Sequence, residues 1–342
     1  MSGISREAFQ AAADRIRTWK RPLLLSHTQP DGDAVGSLMA LRHFFREMGI
    51  DATALLFDPL HDRNAFLDAP DTFPVLGADL SRDVLDEYDG VVILDTCTYS
   101  QLEPIADWLR SSSVAKLAVD HHRTRDDLAD DYLIDESAAA NCLILYEWAR
   151  IVGWAIDCET AVALFAGIAM DTGWFRHSNT DHRALGAAAE LVKLGVNANH
   201  LAQKLFQRES AGRVRLLGTA IATLQFIAGG FVAMMTLTRE AMVAADATQA
   251  DTEDIVNEPL RISAVRASIL LTEANDGVVR VSFRSKTPLD GADASVDLDV
   301  SVVAQTFGGG GHVRAAGARV TGSMSDVQER IVRHFEELLA NA

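Results

Sequence analysis

The chain has 342 residues, 48% of them hydrophobic and 23% charged, and a formal net charge of −17. Such a length suggests two domains of an ordinary globular protein, and the acid excess argues against a sequence-independent grip on a long duplex, which needs a basic face. No apolar run is long enough to span a bilayer, and three scattered cysteines, Cys97, Cys142 and Cys158, suit a reducing cytoplasm rather than a disulfide frame or zinc ribbon.

In chain order, Met1 to Lys20 reads as an amphipathic helix capped by Ser5 rather than as a secretion signal. Leu23-Leu24-Leu25 reads as a buried strand. A loop with His27, Pro30, Asp31, Gly32 and Asp33 follows, then an apolar-periodic helix from Ala34 to Met48, stopped by Gly49. Ala52 to Phe57, Val91 to Leu94 and Lys116 to Val119 read as further strands. Helices are expected over Gln101 to Arg110, Ala138 to Ile151, Glu159 to Met170 and His182 to Leu194, while the Asp- and Pro-rich stretch 58–90 carries no clear period. Strands alternating with helices predict an α/β domain over residues 1–195, with a mostly parallel sheet covered by helices on both faces.

Past Gly195 the pattern changes. Residues 196–222 read as a helical linker, with its helix from Asn199 to about Leu217, and 223–342 as a smaller α+β domain. A hairpin is expected over Leu224 to Thr238, turning at Gly229-Gly230, and a second over Arg261 to Leu271 and Val278 to Ser285, joined by Asn275-Asp276-Gly277. The glycine run Gly308 to Gly311 precedes His312, and a helix from Asp326 to Leu339 closes the chain.

The first loop sits where a strand's carboxyl end meets a helix start, the crevice in which open α/β sheets place ligands. Asp31 and Asp33 are two residues apart, and close carboxylates repel unless a proton or cation separates them. On this loop alone a metal site and a simple helix cap are about equally supported. Three later apolar runs also end in acids or imidazoles: Val91 to Leu94 before Asp95, Lys116 to Val119 before Asp120-His121-His122, and Phe165 to Met170 before Asp171. Each is weak singly, since Asp is a common turn residue; together they point to one sheet edge. His43, His61, His177, His182, His200 and His334 lack ligand spacing and read as surface or packing residues. Trp148, Trp154 and Trp174 read as packing residues, and Thr172 and Asn179 as capping and turn residues or as pocket walls.

His27-x-x-x-Asp31-Gly-Asp33-Ala, the isolated Asp95, Asp120-His121-His122 and Gly167-Ile-Ala-Met-Asp171-Thr-Gly173 resemble, in order, the motifs of the Asp-His-His (DHH) phosphoesterases. Asp251 to Asn257, Val281-Ser-Phe-Arg284-Ser285-Lys286 and Gly308-Gly-Gly-Gly-His312-Val-Arg314-Ala-Ala-Gly317 resemble that family's associated C-terminal domain. The resemblance runs from about Pro22 to Arg319 and is nearest to the branch that degrades very short RNA and removes the 3′-phosphate of adenosine bisphosphate (PAP). Gln29 stands where the family often has Asn, Arg123 follows the double His, and Asp135 to Cys142 lacks an expected Ser/Thr pair. None of these touches a proposed ligand.

The resemblance implies two divalent cations, one held by His27, Asp31 and Asp95, the other by Asp33, His121 and Asp171, with Asp95 bridging. A ligand set without Cys favours manganese or magnesium over zinc. With every ligand on a strand end or its loop, the scaffold could hold the set rigidly. His122, beside a ligand, is expected to meet the scissile phosphate or protonate the leaving oxygen; otherwise it only orients a metal ligand. Asp120 is expected to hydrogen-bond a ligand His. Gly309, Gly310 and Gly311 would let backbone N–H groups approach a phosphate, with Arg284, Ser285, Lys286, His312 and Arg314 beside them; a glycine run can equally be a plain loop.

The implied activity is hydrolysis of short oligonucleotides or dinucleotides to mononucleotides, bound in a cleft between the domains, and of the PAP 3′-phosphate. Alternatives are a linear or cyclic dinucleotide phosphodiesterase in signalling and a non-catalytic nucleotide-binding regulator. Expected partners are short single-stranded RNA or DNA or nucleotides and, optionally, a second copy of the chain, but no long duplex and no membrane.

Overall fold

The computed structural model describes residues 3–60, 73–207, 209–274, 277–287 and 297–340. They form two compact units, Met1–Arg208 and Glu209–Ala342. In the first, strands β1 (Pro22–Leu25), β2 (Thr53–Leu55), β3 (Gly90–Leu94), β4 (Ala115–Asp120) and β5 (Asp131–Ile134) form a wholly parallel sheet in the order β2-β1-β3-β4-β5. Leu24, Val92 and Val119 pack on one face against α2 (Gly32–Glu47), α4 (Asn141–Val152) and α5 (Cys158–Asp171). Leu23, Leu25 and Ile93 pack on the other with Leu85, Leu102 and Leu109. Burial on both faces is why these strands read as unbroken apolar runs. The first helix, α1 (Arg6–Ile16), starts at Ser5, whose side chain accepts from the Ala8 N–H, 3.1 Å. The helices α6 (His182–Lys193) and α7 (Ala198–Phe206) complete this unit, with α3 (Ala106–Ser111).

Two local expectations needed correction. β5 was not foreseen: it is four residues long, opens on Asp131 and has one buried side chain, so it carries neither a run nor a period. The helix expected from Gln101 is a 3-10 turn, Tyr99–Ile105, that becomes α3 only at Ala106; Pro104 lies inside the turn and has no N–H to offer an α-helix.

In the second unit, α8 (Ala211–Ala222) is followed by β6 (Gln225–Ile227), β7 (Val232–Leu237), α9 (Arg239–Ala245), β8 (Ala267–Glu273), β9 (Val278–Ser285), α10 (Val300–Thr306), β10 (Gly310–His312), β11 (Ala315–Thr321) and α11 (Met324–Ala340). The sheet runs β10-β11-β9-β8-β7-β6, antiparallel except for the parallel β7–β8 pair. The first hairpin forms as expected from the sequence, with positive φ at Gly229 and Gly230. The second strand expected from Arg261 begins at Ala267, because Ile255–Arg261 is a 3-10 turn around Pro259. Asn275 and Asp276 of the expected turn lie outside the described residues. The linking helix expected as one piece is two: α7 ends at Phe206 in the first unit, and Ser210 caps α8 in the second by accepting from the Arg213 N–H.

Candidate metal centre and phosphate site

In the order β2-β1-β3-β4-β5 the chain reverses direction of winding between β1 and β3, which makes their carboxyl ends the crevice for a ligand. His27 follows β1 and Asp95 follows β3, so both enter that crevice. His121 and His122 follow β4. The other three acids arrive on helices, not on strand ends as expected. Asp31 caps α2, its side chain accepting from the Asp33 and Ala34 N–H groups, each 3.0 Å. Asp33 lies in the first turn of α2, and Asp171 is the last residue of α5. An apolar run ahead of Asp171 had the composition of a strand and the length of a helix, and packing on α2 selects the helix.

These side chains meet. Ligand atoms of His27, Asp31 and Asp95 lie within 4.8 Å of one another, as do those of Asp33, His121 and Asp171, and those of Asp95, His121 and His122. His27 Nε2 is 3.7 Å from Asp95 Oδ2 and 3.9 Å from Asp31 Oδ1. His121 Nε2 is 3.3 Å from Asp95 Oδ1, 3.7 Å from Asp171 Oδ2 and 3.9 Å from Asp33 Oδ2. The tautomers follow from the backbone. His27 Nδ1 donates to the Thr28 carbonyl, 2.9 Å, and His121 Nδ1 to the Ala138 carbonyl, 3.2 Å. A carbonyl only accepts, so Nδ1 carries the proton and each neutral ring turns a lone pair at Nε2 toward the acids.

The electrostatics call for a cation. Asp95 is 2% exposed, and its Oδ1 has no hydrogen-bond partner although buried, a costly arrangement unless something else satisfies the oxygen. Asp95 also has φ +60°, uncommon for a residue other than glycine and the kind of strain that gathers at functional sites. Burial, then Asp95 and Asp171, push the Asp33 carboxyl well above its usual range; N–H groups of Asn141 and Cys142, 2.6 and 2.9 Å away, hold its two oxygens in place. Burial also lifts Asp171 to about 6, with His121 opposing and Asp95 adding. Burial works against a charged His27 and a charged His121, yet Asp95 foremost among the neighbouring groups carries them up to about 9 and about 10. Protons here do what a divalent cation does better, and four carboxylates with two imidazoles fit hard to borderline ions.

Asp120 is fully buried and does not hydrogen-bond the ring of a ligand His as expected. Its Oδ1 takes the N–H groups of His121 and His122 and the His122 ring Nδ1, 2.8 Å. That bond is the main cause of a raised His122 pKa, with burial opposing. Sequence reasoning missed the role of Asn141 and Cys142 at the α4 N-terminus, which contribute through backbone and so leave no mark in residue type. It also left Gly167 without a reason: a Cβ there would sit 2.3 Å from Cys142 Sγ and 2.6 Å from Asp33 Oδ1. Thr172 donates to the Ile168 carbonyl at the end of α5, and Asn179 to the Ala139 and Asp171 carbonyls, both shaping the turn. Trp174 packs edge-on to Phe165 and Phe206, ring centroids 5.9 and 5.4 Å apart. His43 packs on Thr160, and His61 lies outside the described residues.

In the second unit, Gly310, Gly311 and His312 form the short edge strand β10 and His312 is exposed. Gly309 lies so close to β11 that a Cβ would meet the Gly317 carbonyl at 2.0 Å, and Gly311 has φ +143°. Arg284 pairs in register with Ala315, next to this strand, and donates to the Phe283 carbonyl, 3.0 Å. Arg314 pairs with Asp297. The other two residues of this stretch tie the strand down: Ser285 Oγ donates to the Leu298 carbonyl, and Lys286 Nζ to the Leu260 and Ile262 carbonyls, all 2.7 Å.

Comparison with known families agrees with this layout. Residues 23–168 match the model of the DHH family, N-terminal domain, and residues 230–341 that of the DHHA1 domain. The chain belongs to the DHH family. This DHH protein is 27% identical over 345 residues to the "Bifunctional oligoribonuclease and PAP phosphatase NrnA" of Thermus thermophilus, covering 98% of this chain and 96% of that one. It is 28% identical to the protein of the same name from Bacillus subtilis, covering 92% and 94%. A crystal structure of an exopolyphosphatase-related protein from Bacteroides fragilis shares the fold, with TM-score 0.85 at 22% identity over 99% of both chains. Among the described residues of the DHH protein no helix is long and apolar enough to cross a membrane.

Proposed function

We propose that the chain is a manganese- or magnesium-dependent phosphodiesterase that hydrolyses very short RNA or DNA to mononucleotides and also removes the 3′-phosphate of PAP. The observation that carries this reading is Asp95: buried, unpartnered at Oδ1, and placed between the His27–Asp31 and the Asp33–His121–Asp171 groups, where one carboxylate can serve two ions. Bound cations would mask the phosphodiester charge and make water acidic enough to attack at neutral pH. The chain's own residues supply the rest. His27 and His121 are presented through fixed tautomers, and the α4 N-terminus fixes Asp33. His122, held by Asp120 and with its side chain 55% exposed, keeps a proton to higher pH and can pass it to the leaving oxygen. Arg284, Arg314, His312 and the N–H groups of Gly309 to Gly311 are assigned to substrate phosphate. The names of the two curated relatives, matched over nearly their full length, favour this substrate class.

The test is incubation of the full chain with manganese and a labelled dinucleotide, followed by chromatography. Release of mononucleotide is expected. Recovery of intact, protein-bound dinucleotide would instead make the chain a nucleotide-binding regulator.

A further inference from the structure

One face of the second unit's sheet is covered over part of its width only. Leu270 of β8 and Met235 and Leu237 of β7 are buried there with Leu216, Ala245 and Ile255. The adjoining strands β9 and β11 present Arg280, Ser282 and Arg284, and Gly317 and Arg319, on the same face. Alternate strand residues share a face, and Val279, Val281, Phe283, Ala318 and Val320 are committed to the core on the other.

At the end of this face away from Arg284, Arg239, Arg280 and Arg319 line one cavity of about 390 Å³, with Glu273 the only acid in its wall. Arg280 and Arg319 stand directly opposite each other across the β9–β11 ladder, where like charges destabilise a sheet. None of the three guanidiniums meets an acid at ion-pair distance among the described residues. Glu273 instead accepts the Arg239 backbone N–H, 3.1 Å. Elsewhere in this acidic chain Arg15, Arg183, Arg213 and Arg314 all have carboxylate partners. Three unmatched arginines around one concavity repel one another unless an anion joins them.

The floor toward Arg284 is clear, because Ser282 and Gly317 are paired across the ladder between the two ends. Four residues separate Arg280 from Arg284, about 13 Å at the rise of an extended strand. One phosphate cannot touch both. We infer that the Arg239–Arg280–Arg319 cavity binds a second backbone phosphate of an oligonucleotide, so that the open sheet face is a track for substrates longer than a dinucleotide. This rests on the oligonucleotide reading above and deepens it.

The experiment uses the full chain and the double variant Arg280→Gln/Arg319→Gln, both positions being exposed and the change relieving a like-charge pair. Binding of a labelled pentanucleotide and dinucleotide is followed by fluorescence anisotropy in chelator, so no turnover is needed. The variant should bind the pentanucleotide about tenfold or more weakly and the dinucleotide unchanged, as expected for charge-assisted bonds removed from one end. Its log–log salt slope for the pentanucleotide should be shallower by about 1.4, for two single-strand phosphate contacts. Glu273→Gln should tighten pentanucleotide binding. Equal losses for both lengths, or no change in salt slope, overturn the track. So does displacement from the cavity by inorganic phosphate or PAP without any length dependence, which would mark a site for free phosphates. If the wild type binds the pentanucleotide through these arginines but never cleaves it, the hydrolase reading fails and the track stands.

Discussion

At the scale of single residues, the centre is an arrangement of charge that is unstable by itself. Asp95 has an unpartnered buried oxygen and a left-handed backbone, and its neighbours Asp33 and Asp171 are pushed toward protonation by burial. Asp95→Asn keeps the volume and removes the bridging charge. It should weaken manganese binding in calorimetry and lower kcat/KM on the order of a thousandfold, as for loss of a group that stabilises transition-state charge. Asp120 acts through His122 and touches no ligand ring. Asp120→Asn should therefore leave manganese stoichiometry unchanged while lowering kcat about 10–100-fold. Because Asp120 is the main cause of the raised His122 pKa, the alkaline limb of the kcat–pH profile should also move to lower pH. A purely structural role for Asp120 would shift stability and leave that limb in place.

At the scale of elements, strand ends deliver His27, Asp95 and His121, while helix ends deliver Asp31, Asp33 and Asp171. The helix ends must then be pinned. Arg183 of α6 does part of this, forking onto Glu147 of α4 at 2.7 and 2.8 Å and reaching Asp135 after β5 at 2.7 Å. Burial would raise Asp135, but bonds from Ser137, the Gly3 N–H and Arg183 hold it down at about 2. A carboxyl depressed in the folded state contributes stability above its unfolded value of about 3.9. That contribution is lost as pH falls from about 4 through 2. Asp135→Asn should thus lower stability near neutrality and flatten the denaturation curve between those pH values, measured by urea titration at each pH.

At the scale of the molecule, two compact units divide the labour proposed here, with acids and imidazoles in the first and arginines with glycine-lined backbone in the second. Metal that binds only the folded first unit must stabilise it by mass action. A hundredfold excess of manganese over its Kd is worth about 2.7 kcal/mol. For a unit of this size that raises Tm on the order of 5–10 °C, read by calorimetry with and without chelator. The transition of the second unit should not move, which separates site binding from a general salt effect.

The sequence by itself determined the family, the alternation of strands and helices, and which acids and histidines to suspect, because these depend on residue type and spacing. Buried parallel strands show as apolar runs, and the residues after Leu25, Leu94 and Val119 are chemically distinctive. Only the tertiary structure decided how they are held. The grip on Asp33 comes from backbone N–H groups at the start of α4, the need for glycine at Gly167 from a sulfur and a carboxylate across the packing, and the Arg239–Arg280–Arg319 cavity from strand register. Backbone donors, steric clearance and register are long-range properties, common to many sequences and chosen by packing, so no spacing along the chain announces them.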